Sequence, residues 1–168
     1  MNRIKVTIIT VIFNAANKLE RTMLSVLNQS YKNIEYVIVD GCSEDGSLDI
    51  IQNIDLKIRE GAFDINPENF KWKSESDNGI YDAMNKAVKI STGEWIIFMN
   101  AGDGFFDSQV IEDVIKNLEN TDADIIYGND WIELRDSRRI HHKADNPIKD
   151  LWKAPFLGME LCLQNHLC

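Results

Sequence analysis

Apolar and polar positions along this chain follow two periods, and each period names an element. Val6 to Phe13 (VTIITVIF) is almost wholly apolar and rich in β-branched residues. Such a run predicts a strand buried on both faces, as in a parallel sheet. Ile34 to Asp40 (IEYVIVD) repeats the pattern. Between them Leu19, Met23, Val26 and Leu27 recur at helical spacing, and Asn28-Gln29-Ser30 closes that helix. Asn17 reads as its N-cap, with Glu20 three residues on in a capping-box-like pair. Gly41 to Ser47 is a loop of turn residues, and Leu48 to Ile54 a short helix. Strand, helix, strand, helix in this order predicts a parallel sheet with right-handed crossovers.

The pattern continues less evenly. Leu56 to Arg59 and Phe70 to Lys73 each read as short strands, with an exposed loop over Asp64 to Asn69. Gly79 or Asn78 opens a helix with Ile80, Met84, Ala87 and Val88 on one face, and Gly93 follows its end. The apolar run Glu94 to Met99 is a strand that delivers Asn100, Gly102 and Asp103 to its carboxyl end. Asp107 caps a helix through Leu118, and Ala123 to Tyr127 is a further strand. Trp131 to Leu134 and Arg139 to His142 form a small antiparallel pair. No repeat, low-complexity tract or linker interrupts residues 1–168, so they read as one domain.

Composition narrows the class. The 168 residues are 44% hydrophobic and 27% charged, which suits a globular domain with a real core. A net charge of -9 disfavours nonspecific binding to nucleic acid, and no nucleic-acid partner is expected. No apolar run approaches the roughly 20 residues of a membrane helix. The amino terminus enters a strand without a signal-peptide cleavage site. Three cysteines without regular spacing predict reduced thiols in the cytoplasm, and the lack of CxxC or HExxH argues against zinc. Glu160 to Cys168 (ELCLQNHLC) stays apolar to the last residue, which reads as a chain cut inside an element that should continue.

The candidate chemistry lies at strand ends. In an open α/β sheet, ligands bind outside the carboxyl ends of the strands. Thr10 and Asn14 stand near the end of the first strand, Asp40 ends the second, and Asn100 to Asp103 follow the Trp95 strand. Parallel neighbours bring such ends together, so these residues are expected to line one crevice. A carboxylate beside glycines there suits a divalent cation and a phosphorylated ligand. The loops lack both GxGxxG and GxxxxGK[ST], which argues against a dinucleotide dehydrogenase and a P-loop NTPase. Asp77 and Asp82 flank the start of the Gly79 helix, and either also serves as a favourable charge in a first turn.

Two blocks carry a resemblance. TIITVIFNAANKLERTMLSVLNQSYKNIEYVIVDGCSEDGS and SDNGIYDAMNKAVKISTGEWIIFMNAGD together resemble the inverting glycosyltransferases of family 2, closest to bacterial enzymes of surface polysaccharide synthesis. The resemblance implies a GT-A-like, Rossmann-related α/β fold: a mostly parallel sheet flanked by helices, with a small antiparallel hairpin toward the C-terminal part. It implies transfer of a sugar, with inversion, from a nucleotide-diphosphate sugar such as a UDP-sugar to a saccharide or lipid-linked acceptor. Thr10 and Asp40 match positions that hold the base, and Asn100 the first residue of the family's DxD-type motif, near the ribose. Asn14 and Asp77 complete the donor set. Asp103 matches the motif's last acidic residue and would bind Mg²⁺ or Mn²⁺. Here the motif reads Asn-Ala-Gly-Asp, so ligation rests on Asp103. The usual base lies in the later, acceptor-facing half, where related sequences often carry a His-Gln pair and this chain has Leu163-Gln164. Glu160 and Asp130 are the remaining base candidates, and the acceptor half reads as truncated. The implied location is the cytoplasm, either free or peripheral at the inner face of the membrane. The rival readings are a nucleotide-sugar-binding module without catalysis and a nucleotidyltransferase, which would want a basic Gly-rich loop where Asn14-Ala15-Ala16-Asn17 stands.

Overall fold

The computed structural model describes residues 4–118, 124–134, 136, 138–142 and 161–164. Strands β1 (Val6–Ile12), β2 (Ile34–Asp40), β3 (Phe70–Ser74) and β4 (Trp95–Phe98) form a parallel sheet in the order β3-β2-β1-β4. Every residue of β1 and β2 is buried, as their largely apolar runs require. The register sets Ile12 opposite Asp40 and Asp40 opposite Ser74, so three strand ends lie side by side. β5 (Ile125–Tyr127) and β8 (Leu161–Gln164) extend the sheet past β4, with β8 antiparallel to both neighbours. The apolar Leu161–Gln164 stretch is therefore an inner strand. Glu160 and residues 165–168 lie outside the described residues. β6 (Asp130–Glu133) and β7 (Arg139–His142) make the expected separate hairpin.

Helices cover both faces. On one, α1 (Ala16–Leu27), α2 (Ser47–Arg59) and α4 (Val110–Leu118) pack Leu19, Met23, Ile51, Ile58 and Ile111 onto Ile8, Tyr36 and Ile38. On the other, α3 (Ile80–Ile90) sets Ala83 and Ala87 against Ile9, Val11, Val37 and Val39. Small alanines let α3 approach the sheet closely. Among the described residues no helix is long and apolar enough to cross a membrane.

Three local expectations need correction. Leu56 to Arg59 is not a strand: α2 runs on to Arg59 because Ile51, Ile54 and Ile58 keep one buried stripe at helical spacing. Part of the Asp64–Asn69 loop is a 3₁₀ turn, Pro67–Asn69, in which the Asn66 side chain accepts from the Glu68 N–H at 3.0 Å. Asn17 does not cap α1, which starts earlier, after Ala15, with no side-chain cap of its own. Its first free N–H groups go instead to the loop after β2. The Asp45 carboxylate accepts from Ala16 at 2.9 Å, and Ser47 Oγ accepts from Ala15 at 3.1 Å. An acceptor from a distant loop satisfies the same orphan donors that a local cap would.

The amino-terminal edge of the sheet is locked by one buried carboxylate. Glu35 accepts from Lys71 Nζ at 2.6 Å, Thr7 Oγ1 at 2.6 Å, and both the N–H and hydroxyl of Thr92 at 2.6 and 2.8 Å. Burial alone would raise its pKa, but these donors outweigh that and hold it down to about 2. The opposite, carboxyl edge is where the strand ends open.

Candidate functional site

The floor of the opening is built from β1, β2 and β3. Asp40 is fully buried. It accepts from the Ser43 N–H at 3.1 Å, from the Ser43 hydroxyl, and from the Ser74 hydroxyl at 2.6 Å. A carboxylate with several donors is comfortable without solvent. Thr10 is also buried, and its hydroxyl shares a 3.1 Å hydrogen bond with the Tyr36 hydroxyl. It stands two residues short of the end of β1 and turns into the core, so its side chain supports the strand rather than lining the opening. Tyr36 has its pKa raised, first by burial.

The rim is open. Phe13 follows β1 and is 67% exposed. Asn14 takes a left-handed backbone, φ 50°, which asparagine tolerates better than most residues. Its N–H donates to Ser43 Oγ at 2.8 Å and its Oδ1 accepts from the Glu44 N–H at 3.0 Å. Asn14 thus staples the end of β1 to the loop after β2. Asp77 reaches across from the loop before α3. A Cβ on Gly41 would lie 2.6 Å from Asp77 Oδ2 and 3.4 Å from the Phe13 ring. Only glycine leaves room for the carboxylate and ring to approach this backbone. The other Asp77 oxygen accepts from the Gly79 N–H at 2.8 Å. Lys86 steadies the same loop, donating to the Ser76 carbonyl at 2.7 Å and pairing with Asp82 at 3.0 Å. Asp82, its pKa lowered by the Asn78 N–H and then by Lys86, holds Asn78 at 3.0 Å.

The Asn100–Asp103 turn forms the second wall. Both end residues are exposed, and Gly102 has φ 108°, a conformation that favours glycine. Thr22, buried on α1, accepts from the Gly102 N–H at 2.9 Å and donates to the Asp103 carbonyl at 2.7 Å. The turn and α1 (Asn17, Lys18, Arg21) line a cleft of about 300 Å³ with Ala101, Gly102 and Asp103. The Lys18 stem lies over Gly102, with Cδ 3.1 Å from where a Cβ would stand. Arg21 is 3.6 Å from Glu133 on β6.

The structure therefore brings Asn14, Asp40 and Asp77 around one strand-end opening and places Asn100 and Asp103 on the turn after neighbouring β4. Asp130 opens β6, opposite His142. Glu160 lies outside the described residues. Sequence reasoning missed Phe13, Ser43, Ser74, Lys18 and Thr22. Thr22 had a signal: a hydroxyl inside the apolar stripe of Leu19, Met23 and Val26 needs a buried partner.

A divalent cation can be weighed against these residues. Among the described residues no three His, Cys, Asp or Glu side chains cluster as a metal cage. The Asp103 carboxylate is exposed at the cleft. One hard oxygen ligand on a rigid turn fits a cation whose other ligands are phosphate oxygens and water, as Mg²⁺-type sites are built.

Comparison with known proteins is consistent across sequence and structure. The profile of the family described as "Glycosyl transferase family 2" matches residues 7–161. A PGL/p-HBAD biosynthesis glycosyltransferase of Mycobacterium bovis is 30% identical over 124 residues, which is 73% of this chain and 45% of that protein. The putative teichuronic acid biosynthesis glycosyltransferase TuaG of Bacillus subtilis is 36% identical over 98 residues, 58% of this chain and 36% of that protein. The chain thus spans less than half the length of these relatives. Among solved structures, S. aureus TarS 1-349 in complex with UDP aligns with a TM-score of 0.68 and 18% identity, covering 96% of this chain and 47% of that one. The mannosyltransferase PcManGT of Pyrobaculum calidifontis, in complex with GDP-Man and Mn²⁺, gives a TM-score of 0.67 and 21% identity over 76% of this chain and 36% of that one. Both structural likenesses establish the fold, a GT-A glycosyltransferase fold.

Proposed function

The chain belongs to glycosyl transferase family 2, and we propose that it transfers a sugar from a nucleotide-diphosphate sugar, with inversion, to a saccharide or lipid-linked acceptor in surface polysaccharide synthesis. The observation that carries this reading is the opening itself. An exposed aromatic ring, a polar floor and a carboxylate-bearing turn meet at adjacent strand ends, with basic side chains on one wall. That is the sequence of chemistries along a nucleoside diphosphate: flat base, hydroxylated ribose, charged phosphates.

The base stacks on Phe13, whose ring lies beside Gly41. Its polar edge meets the floor. The Ser43 and Ser74 hydroxyls spend their protons on Asp40; Ser43 already accepts from the Asn14 N–H and keeps one lone pair, and Ser74 keeps lone pairs to accept an N–H of the base. Thr10 holds that floor from beneath, through Tyr36. Asn14 and Asp77 close the rim, and Asn100 faces the ribose. Asp103 would hold Mg²⁺ or Mn²⁺ at the diphosphate. When bound, the cation neutralises charge that develops on the leaving group. Lys18 and Arg21 add positive charge on the wall opposite Asp103. In the transfer, an acceptor hydroxyl oxygen bonds to the anomeric carbon from the face opposite the diphosphate. The carbon–oxygen bond to the diphosphate breaks and its electron pair leaves with the nucleoside diphosphate. The hydroxyl proton passes to a carboxylate base, for which Asp130 and Glu160 are the candidates. The site of action on this reading is the cytoplasm or the inner face of the membrane.

Calorimetry with UDP in the presence and absence of Mn²⁺ tests the reading. UDP should bind, Mn²⁺ should tighten it, and Asp103→Asn should abolish the gain while UDP alone still binds. A folded wild-type chain with affinity for neither UDP nor GDP, with or without Mn²⁺, would overturn the assignment.

A further inference from the structure

Past the Asn100–Asp103 turn, three aromatic rings stand in a row on the surface. Phe106 is 71% exposed and Trp131 48% exposed, and their near-parallel rings (21°) have centroids 6.2 Å apart. His141 stacks on Trp131 at 4.5 Å and 22°. Trp131 and His141 are cross-strand partners in the β6–β7 hairpin, so the pair is fixed by strand register. Phe106 comes from the turn that carries Asp103, three residues on. The 3.6 Å contact between Glu133 and Arg21 ties the hairpin to the helix lining the cleft. The row is thus continuous with the proposed donor site.

Large apolar rings clustered in the open mark an interaction surface rather than a core. We infer that Phe106, Trp131 and His141 form a platform that stacks the pyranose ring of an acceptor saccharide beside the donor site, an inference that rests on the transferase reading above. The chemistry matches. A pyranose presents a flat face of C–H bonds with a slight positive charge, and an aromatic ring presents a negative face to it; because His141 covers one face of Trp131 at 4.5 Å, the sugar is offered the faces of Phe106 and Trp131 that the stack leaves open. The imidazole edge of His141 adds a hydrogen-bonding group for the ring's hydroxyls. An anionic lipid surface would call for an excess of cations around the rings. Here Arg21 and Arg138 stand beside Glu133 and Asp136, and among the described residues of the hairpin the exposed Arg139 adds only a single further positive charge.

Saturation-transfer NMR tests the inference on the full chain. The probes are the methyl glycosides of glucose, galactose, mannose and N-acetylglucosamine, with UDP and diamagnetic Mg²⁺ in the same tubes and the UDP protons followed alongside. At least one glycoside should take up saturation at its ring C–H protons. Trp131→Ala and Phe106→Ala should each cut that signal by about threefold or more, the scale of one aromatic contact. Trp131→Phe should largely keep it, and UDP signals should survive in all three variants. The platform is refuted if no glycoside is saturated by the wild type, or if saturation persists unchanged in both alanine variants. It is equally refuted if only phosphatidylglycerol vesicles bind in a Trp131-dependent way. Loss of UDP signals in the wild type would instead count against the donor site, and leaves the glycoside result readable on its own.

Discussion

The Thr22 hydroxyl donates to the Asp103 carbonyl at 2.7 Å, across 81 residues of sequence. The same oxygen accepts from the Gly102 N–H at 2.9 Å, so one buried side chain fixes the backbone of two consecutive residues of the acidic turn. The turn follows a short strand and holds a left-handed glycine, and without Thr22 two of its backbone groups would lose their partner. Thr22→Val keeps the volume and removes the oxygen. It should cost about 1–3 kcal/mol of stability in urea melts, the range for orphaned buried polar groups. Because the position of Asp103 depends on the turn, the Mn²⁺-dependent gain in UDP affinity should shrink as well. A valine variant with unaltered stability and an unaltered metal effect would show that the turn holds itself.

Gly41 and Asp77 give a cleaner test of the rim. A methyl group on Gly41 would meet Asp77 Oδ2 at 2.6 Å, and that atom is the mobile end of a side chain rather than backbone. Gly41→Ala should therefore fold, with Asp77 displaced. UDP affinity should fall by about tenfold, the cost of one hydrogen bond to a charged group. Asp77→Ala should cause a similar loss, and the double variant little more than either single one, because both act through one carboxylate. Additive losses would show that Gly41 does not act through Asp77, and full UDP affinity in Asp77→Ala would place Asp77 outside the donor site.

How far the sequence carries depends on whether a feature is periodic or a matter of contact. The largely apolar runs at Val6–Phe13 and Ile34–Asp40 predicted buried parallel strands, and the structure matches them at every end but one, Ile12 in place of Phe13, because both faces of such strands are covered. The Leu56–Arg59 misreading arose because four residues are too few to tell period 2 from 3.6, and the deciding stripe, Ile51-Ile54-Ile58, lay mostly upstream. The strand-end rule pointed to Asp40 and Asp103, which the structure puts at the end of β2 and on the turn after β4. It did not say which side chains face out. Thr10 is separated from the opening by only two residues, yet its alternation sends it into the core with Ile8 and Ile12. The helix caps from Asp45 and Ser47, and the Thr22 clamp, join elements far apart in sequence, where no local pattern announces them.

Asp40 is both a floor and a structural hub, so its replacement should act twice. Asp40→Ala removes the acceptor used by the Ser43 N–H and the Ser43 and Ser74 hydroxyls inside a buried site. Stability should fall by about 1–3 kcal/mol. With the two serine hydroxyls free to turn, UDP affinity measured at a temperature where the variant remains folded should drop at least tenfold, about 1.4 kcal/mol. Calorimetry showing wild-type affinity in the folded variant would remove this strand end from the donor site, whatever its effect on stability.

Glu35 sets the acid limit of the fold, and its sign follows from linkage. Its pKa is lowered from 4.5 in the free state to about 2 in the folded one, with Lys71, Thr7 and Thr92 outweighing the effect of burial. The folded state therefore holds the charged form more tightly than the unfolded chain does. The resulting stability is fully present above pH 4.5 and is lost as the pH falls from there toward 2. Its size is roughly 3 kcal/mol, from 1.36 kcal/mol per pKa unit. Other carboxylates titrate over the same range, so the wild type alone does not isolate the effect. Glu35→Gln does, since it lacks the charge at every pH and leaves Lys71 without its 2.6 Å counter-charge. Urea melts should show the variant well below the wild type at pH 7, with the gap narrowing steadily between pH 4.5 and 2.5. A gap that stays constant across that window would mean that the Glu35 network contributes through packing and hydrogen bonding alone, with no net preference for the ionised carboxylate.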